Sequence, residues 1–170
     1  DQNSIMTEQP PKLSCIITTY NRSKLLSENS LPSALGQVSA HAFEVIVIDD
    51  YSTDDTEEVV KEWQKKDSRL RYHKQEKNKG LAAARNTGAS LARGEYIVFL
   101  DDDDVLVPYV LEVGKLLLDG YPKSKVVIGA RLILYPEATT HQAPPTLNEK
   151  SLYTTLDDGF IIRKEVFNEI

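Results

Sequence analysis

Apolar residues come along this chain in short blocks whose spacing alternates between two periods. Leu13-Ser14-Cys15-Ile16-Ile17-Thr18-Thr19, Phe43-Glu44-Val45-Ile46-Val47-Ile48 and Glu95-Tyr96-Ile97-Val98-Phe99-Leu100 are nearly unbroken β-favouring runs. Such runs mark strands buried on both faces of a parallel sheet. Between them the spacing turns helical. Ser23 is placed to cap a helix containing Leu25, Leu26, Leu31 and Leu35, with Pro32 expected to kink or split it and Gly36 to end it. A second helix is expected over Asp54 to Lys66, burying Val59, Val60 and Trp63. A third, rich in small residues, should run from Leu81 to Ala92. A fourth should start at Pro108 and bury Val110, Leu111, Val113, Gly114, Leu117 and Leu118.

Arg69 to His73 reads as a short strand, with His73 exposed on it, and Lys125 to Leu134 as a buried strand. Tyr135 to Lys150 is polar, contains Pro136, Pro144 and Pro145, and reads as a long exposed loop. Phe160-Ile161-Ile162 should form a last strand before a helix start at Arg163. Strand and helix alternating through short loops predict an α/β fold, a mainly parallel central sheet with helices on both faces.

Three of these strands end in polar residues: Thr18 to Arg22, Asp49-Asp50, and Asp101-Asp102-Asp103-Asp104. In an open α/β sheet, strand ends of this kind converge on one crevice. Four adjacent carboxylates repel one another, so the fold is expected to hold a counter-cation there. Asp101 and Asp103, one residue apart, can aim oxygens at one point, and hard oxygen ligands select Mg²⁺ or Mn²⁺ completed by substrate phosphates. A solvated acidic turn is the bland alternative. Arg85 lies in Ala-rich apolar sequence, where an unpaired charge is costly. Its partner is either an aspartate of the strand ends or a ligand phosphate. Asp50 could accept hydrogen bonds from a base. Neither GxGxxG nor GxxxxGK[ST] follows the first strand, which argues against a nicotinamide enzyme or a P-loop NTPase.

The 170 residues allow one domain. With 41% hydrophobic and 27% charged residues, the composition is ordinary for a globular protein. Lys plus Arg is 20 against 26 for Asp plus Glu, a net charge of −6, which speaks against a nucleic-acid partner. The single cysteine, Cys15, lies within a strand run, so no internal disulfide forms and the thiol reads as core filler. No apolar stretch is long enough to span a bilayer and no signal peptide is seen. Cytoplasmic is the default expectation, with peripheral membrane association left open. Residues 1–10 are expected to be a disordered or foreign lead-in, in which Asp1 to Ile5 are either a foreign remnant before Met6 as the natural start or the edge of a cut from a longer chain.

Four motifs together resemble family 2 glycosyltransferases of the GT-A fold. They are Ile17-Thr18-Thr19-Tyr20-Asn21-Arg22, Val47-Ile48-Asp49-Asp50-Tyr51-Ser52-Thr53-Asp54, Asn78-Lys79-Gly80-Leu81-Ala82-Ala83-Ala84-Arg85-Asn86-Thr87-Gly88 and Phe99-Leu100-Asp101-Asp102-Asp103-Asp104. They stand in the family's order and spacing, and the resemblance spans about Pro11 to Ile170. It implies a Rossmann-like GT-A domain over 11–170, truncated on its C-terminal side. It further implies an inverting transferase that uses a nucleotide diphosphate sugar, commonly a UDP-sugar, with Mn²⁺ or Mg²⁺, and a saccharide or glycoconjugate acceptor.

Carried over by motif, Thr18, Thr19, Tyr20 and Asn21 would line the nucleotide pocket, with Tyr20 stacking on the base. Asp50 would bond the base and Arg85 would lie near the nucleotide. Asp101 and Asp102 would face the ribose and sugar, Asp103 with Asp101 would hold the metal, and Asp157 and Asp158 would lie on the sugar or acceptor side. Two departures stand out. Tyr51 replaces the glycine of the family's Asp-Gly-Ser turn. The family's general base lies in an acidic motif further along than this chain reaches, so no base is assigned. Rival readings are a nucleotide-sugar-binding module without turnover, and a nucleotidyltransferase. The latter would want a Gly- and Arg-rich loop after the first strand, and Thr18 to Arg22 is not one.

Overall fold

The computed structural model describes residues 10–128, 131–134, 139–142 and 160–168. The chain runs β1 (Leu13–Thr19), α1 (Ser23–Leu25), a π turn (Leu26–Ser30), α2 (Leu31–Leu35), β2 (Phe43–Asp49), α3 (Thr56–Gln64) and β3 (Leu70–Lys74). It continues through α4 (Leu81–Leu91), β4 (Tyr96–Asp101), α5 (Val110–Gly120), β5 (Val126–Ile128), β6 (Arg131–Leu134), β7 (Thr139–Gln142), β8 (Phe160–Arg163) and a 3₁₀ turn (Lys164–Asn168).

Six of these strands form one sheet in the order β3-β2-β1-β4-β8-β5. β1 pairs in parallel with both β2 and β4, and β2 with β3. All residues of β1 and β2 are buried, as their unbroken apolar runs require. Their side chains alternate between two cores. Leu13, Cys15, Ile17, Val45, Val47, Val98 and Leu100 pack with Leu26, Leu31, Val60, Leu111 and Leu118 of the helical segments on one face. Ile16, Ile46, Ile48, Ile97 and Phe99 pack with Ala84 and Ala89 of α4 on the other. The sheet is therefore covered on both sides.

The small-residue character of α4 has a direct cause. A Cβ built on Gly88 would stand 2.3 Å from Ile16 Cγ2, so the helix lies against the sheet at a distance only glycine allows there.

Several expectations change. The predicted first helix is divided into α1, the π turn and α2, with Pro32 at the start of α2; its missing N–H is where the hydrogen-bond ladder shifts register. Ser23 begins that helix rather than capping it, and its hydroxyl donates to Asp55 Oδ1 at 2.5 Å. Val113 and Leu117 of α5 are exposed, and the helix buries Leu111, Gly114 and Leu118 instead. The strand expected from Lys125 to Leu134 is two: β5 joins the main sheet, while β6 pairs antiparallel with β7. That β7 lies within the expected Tyr135–Lys150 loop, where Thr139 and Thr140 find ladder partners in Ile133 and Leu134. β8 runs against both β4 and β5.

Candidate donor-binding site

The carboxyl ends of β1, β2 and β4 border an open cleft of about 280 Å³. β1 and its loop contribute Thr18, Thr19, Tyr20 and Arg22; β2 contributes Asp50; β4 contributes Asp101 and Asp102. Asn78, Gly80, Leu81 and Ala84, from the approach to α4 and its first turn, complete the lining. The parallel register explains the convergence, because Thr18 lies beside Asp101 on one side and Ile48 on the other.

Asp49 and Asp50 take opposite roles. Asp49 is buried and accepts from the Ser52 amide at 2.7 Å and the Tyr72 hydroxyl at 2.6 Å, which holds the turn after β2. Asp50 faces the cleft and fastens the far loop: Gln75 Nε2 and the Lys79 amide donate to Oδ1, at 2.6 and 2.8 Å, and the Gly80 amide to Oδ2 at 2.7 Å. Gly80 has φ +83, a left-handed conformation that suits glycine, and it presents its amide to Asp50 in that state. A carboxylate offers about four acceptor positions, so Asp50 retains capacity beyond these bonds.

The turn after β2 also accounts for Tyr51. It sits at φ 76, and Asn21 opposite it at φ 53. The backbone that a glycine would serve is kept by tyrosine, at a cost of about 1–2 kcal/mol. Asn21 Oδ1 accepts from the Thr53 amide at 2.7 Å while its own amide donates to Ser52 Oγ at 2.9 Å, so Asn21 clamps this turn to the β1 loop. Its side chain is not among those lining the cleft.

The acidic run is tied down from three directions. Thr18 Oγ1 donates to Asp101 Oδ1 at 3.3 Å, and Arg85 Nη2 to the same oxygen at 3.0 Å. Thr19 Oγ1 donates to Asp102 Oδ2 at 2.8 Å. Arg22 Nη1 donates to Asp102 Oδ1 at 2.8 Å and to Asp103 Oδ2 at 3.1 Å. Burial pushes the Asp102 carboxyl upward, against the opposing bonds from Thr19 and Arg22, and Asp103 adds to the rise. The counter-charge expected for this run is thus present within the chain, as Arg85 and Arg22. Arg85 meets an aspartate of a strand end, one of the two partners foreseen for it. Arg22 was not foreseen as a site residue, although it stands in the first motif; its position in the chain gives no sign that it reaches β4.

Among the described residues, no three His, Cys, Asp or Glu side chains gather as a metal cage. Asp101 and Asp103 each use one carboxylate oxygen in the bonds above, and the other oxygen takes no part in them. Asp101 lines the cleft and Asp103 does not; by their chemistry, carboxylates are the donors that Mg²⁺ and Mn²⁺ take, commonly one or two of them with substrate phosphates and water in the remaining positions. Asp157 and Asp158 lie outside the described residues. No helix among the described residues is long and apolar enough to cross a membrane.

The family profile described as Glycosyl transferase family 2 matches residues 14–168. The chain belongs to this family. It is 28% identical to S. aureus TarS in the complex of its 1–349 fragment with UDP-GlcNAc, with a TM-score of 0.75 over 93% of this chain and 47% of that one. It is 28% identical to the mannosyltransferase PcManGT from Pyrobaculum calidifontis, in complex with GDP-Man and Mn²⁺, with a TM-score of 0.62 over 71% of this chain and 36% of that one. A GalNAc(5)-diNAcBac-PP-undecaprenol beta-1,3-glucosyltransferase of Campylobacter jejuni is 44% identical over 98 residues, 57% of this chain and 31% of the enzyme. The family 2 chain therefore spans under half the length of each of these relatives, and its sheet has the GT-A-like arrangement of the solved structures.

Proposed function

We propose that this chain forms the donor site of an inverting glycosyltransferase that moves a sugar from a nucleotide diphosphate sugar, in the first instance a UDP-sugar, to an acceptor hydroxyl in polysaccharide or glycoconjugate synthesis. The observation that carries this is the convergence of Thr18 to Tyr20, Asp50 and Asp101-Asp102 on one open cleft. Tyr20 lines this cleft and is 45% exposed, and we assign it to stack on the base. Asp50 has acceptor capacity for a base N–H. Asp101 and Asp102 take the ribose and sugar side, and Asp103 with Asp101 would hold the divalent ion.

In the reaction, the acceptor oxygen attacks the anomeric carbon from the face opposite the diphosphate. The carbon–oxygen bond to the diphosphate breaks, and the acceptor proton passes to a general base. A bound Mn²⁺ or Mg²⁺ supplies charge neutralisation on the leaving nucleoside diphosphate. Thr18 and Arg85 orient Asp101 for its contact with the donor. We assign no base, and Asp157 and Asp158 remain our proposal for the sugar or acceptor side. An undecaprenol-linked acceptor, as in the name of the C. jejuni relative, would go with peripheral membrane association. Donor binding without turnover by this chain alone is the second reading, favoured because no base is assignable among the described residues.

Calorimetric titration of UDP with Mn²⁺, and again with EDTA, tests the reading. Metal-dependent binding supports it. Absence of binding for UDP, GDP, CDP and dTDP alike would overturn it.

A further inference from the structure

A single nitrogen of Arg22 bridges two neighbouring carboxylates, 2.8 Å from Asp102 Oδ1 and 3.1 Å from Asp103 Oδ2. The two ends of this bridge differ. The Asp102 side chain is 4% exposed and also accepts from Thr19, so that end is fixed. Asp103 is 46% exposed and Arg22 48%, and exposed ion pairs are weakly held. Arg22 also lines the cleft beside Asp101 and Asp102. A divalent ion on Asp103 and a guanidinium on the same carboxylate are two cations competing for one anion.

We propose that Arg22 is a resident cation that occupies Asp103 in the nucleotide-free protein, yields it to the divalent ion, and transfers its guanidinium to the incoming diphosphate. The inference rests on the donor-site reading above. Arg22 meets the exposed Asp103 through one nitrogen only, whereas a diphosphate carries more negative charge than a single carboxylate and can take two N–H groups on two oxygens at once. The nucleotide therefore does two things together: it adds oxygen ligands for the ion and takes over the cation that blocked the site. Metal and nucleotide binding become positively coupled, and by linkage each raises the affinity for the other by the same factor. The free protein is held back from loading an ion before the nucleotide arrives.

The test is Mn²⁺ binding read from the electron paramagnetic resonance of the free ion, with and without UDP, for wild type, R22M and R22K. R22M should bind Mn²⁺ in the absence of UDP about tenfold more tightly than wild type, a coupling of ordinary size. It should bind UDP with Mn²⁺ more weakly and show less effect of UDP on Mn²⁺ affinity. R22K, which keeps a cation, should behave like wild type towards Mn²⁺ alone. Equal Mn²⁺ affinity in wild type and R22M, with Mn²⁺–UDP binding intact in wild type, overturns the role of Arg22 and leaves the donor site standing. A gain in R22K as large as in R22M also overturns it, because charge would not be the cause. Wild type that fails to bind UDP, GDP, CDP and dTDP alike in the presence of Mn²⁺ removes the donor-site reading, and this inference with it.

Discussion

The Arg85 guanidinium donates to Asp101 across 3.0 Å, joining α4 to the end of β4 at the edge of the cleft. Both side chains are mostly buried, and hydrogen bonds to charged groups in such settings are worth about 1.5–3 kcal/mol. R85A should therefore lower folding stability by about that amount in urea titrations. It should also weaken UDP binding by about tenfold, and uridine binding less, since the disturbed Asp101 is one of the two proposed ligands of the ion whose coordination the diphosphate completes. Equal losses for UDP and uridine would make Arg85 structural only.

Asp103 is half exposed and bonds to Arg22 among the described side chains, so its removal should leave the fold intact. D103A should keep the thermal midpoint within a few degrees of wild type while Mn²⁺-dependent UDP binding falls about 10–100-fold. Unchanged affinity in the presence of Mn²⁺ would sink the metal assignment.

Glu44 lies at the opposite end of the sheet and is a purely structural charge. It is buried and accepts from Ser14 Oγ at 2.8 Å, the Arg93 amide at 2.6 Å, Arg71 Nη1 at 2.8 Å and Arg93 Nε at 2.9 Å. Burial by itself raises its pKa, but these four bonds prevail and hold it below the usual carboxylate value. E44A removes a buried carboxylate whose arginine partners are themselves 35% and 58% exposed, so it should cost about 1.5–3 kcal/mol. Because the folded value is depressed, Glu44 contributes stability above its unfolded pKa of about 4.3. That contribution is lost as pH falls below this value and through the folded pKa. Denaturation curves at neutral and acidic pH should show E44A losing less stability on acidification than wild type.

Cys15 is fully buried, and burial pushes its thiol up to about 12. Native protein should not react with Ellman's reagent at neutral pH, and one thiol should titrate in denaturant. Fast reaction of the folded protein would contradict the buried position in β1.

Gly88 tests the close approach of α4. G88A places a methyl 2.3 Å from Ile16 Cγ2, and relieving that overlap should cost about 1–3 kcal/mol in chemical denaturation. The gain in helix propensity, about 1 kcal/mol, offsets only part of this.

What the sequence determined by itself is the set of buried parallel strands and what stands at their ends. β1, β2 and β4 are legible because burial on both faces tolerates only unbroken apolar runs, and a polar group at the end of such a run has to emerge at the sheet edge. That logic is local, and by itself it brings Thr18, Asp50 and Asp101 to one edge of the sheet. The failures are where partners are distant. Arg22 meets Asp102 80 positions away, and Glu44 meets Arg93 49 positions away; nothing in the spacing of either residue specifies its partner. Only the strand order, with β1 between β2 and β4, decides those pairs. The reversal of β8 between β4 and β5, and the division of the Lys125–Leu134 run, were likewise set by tertiary pairing. An apolar run states that it will be buried, while its direction and neighbours depend on which sheet edge is left for it to complete.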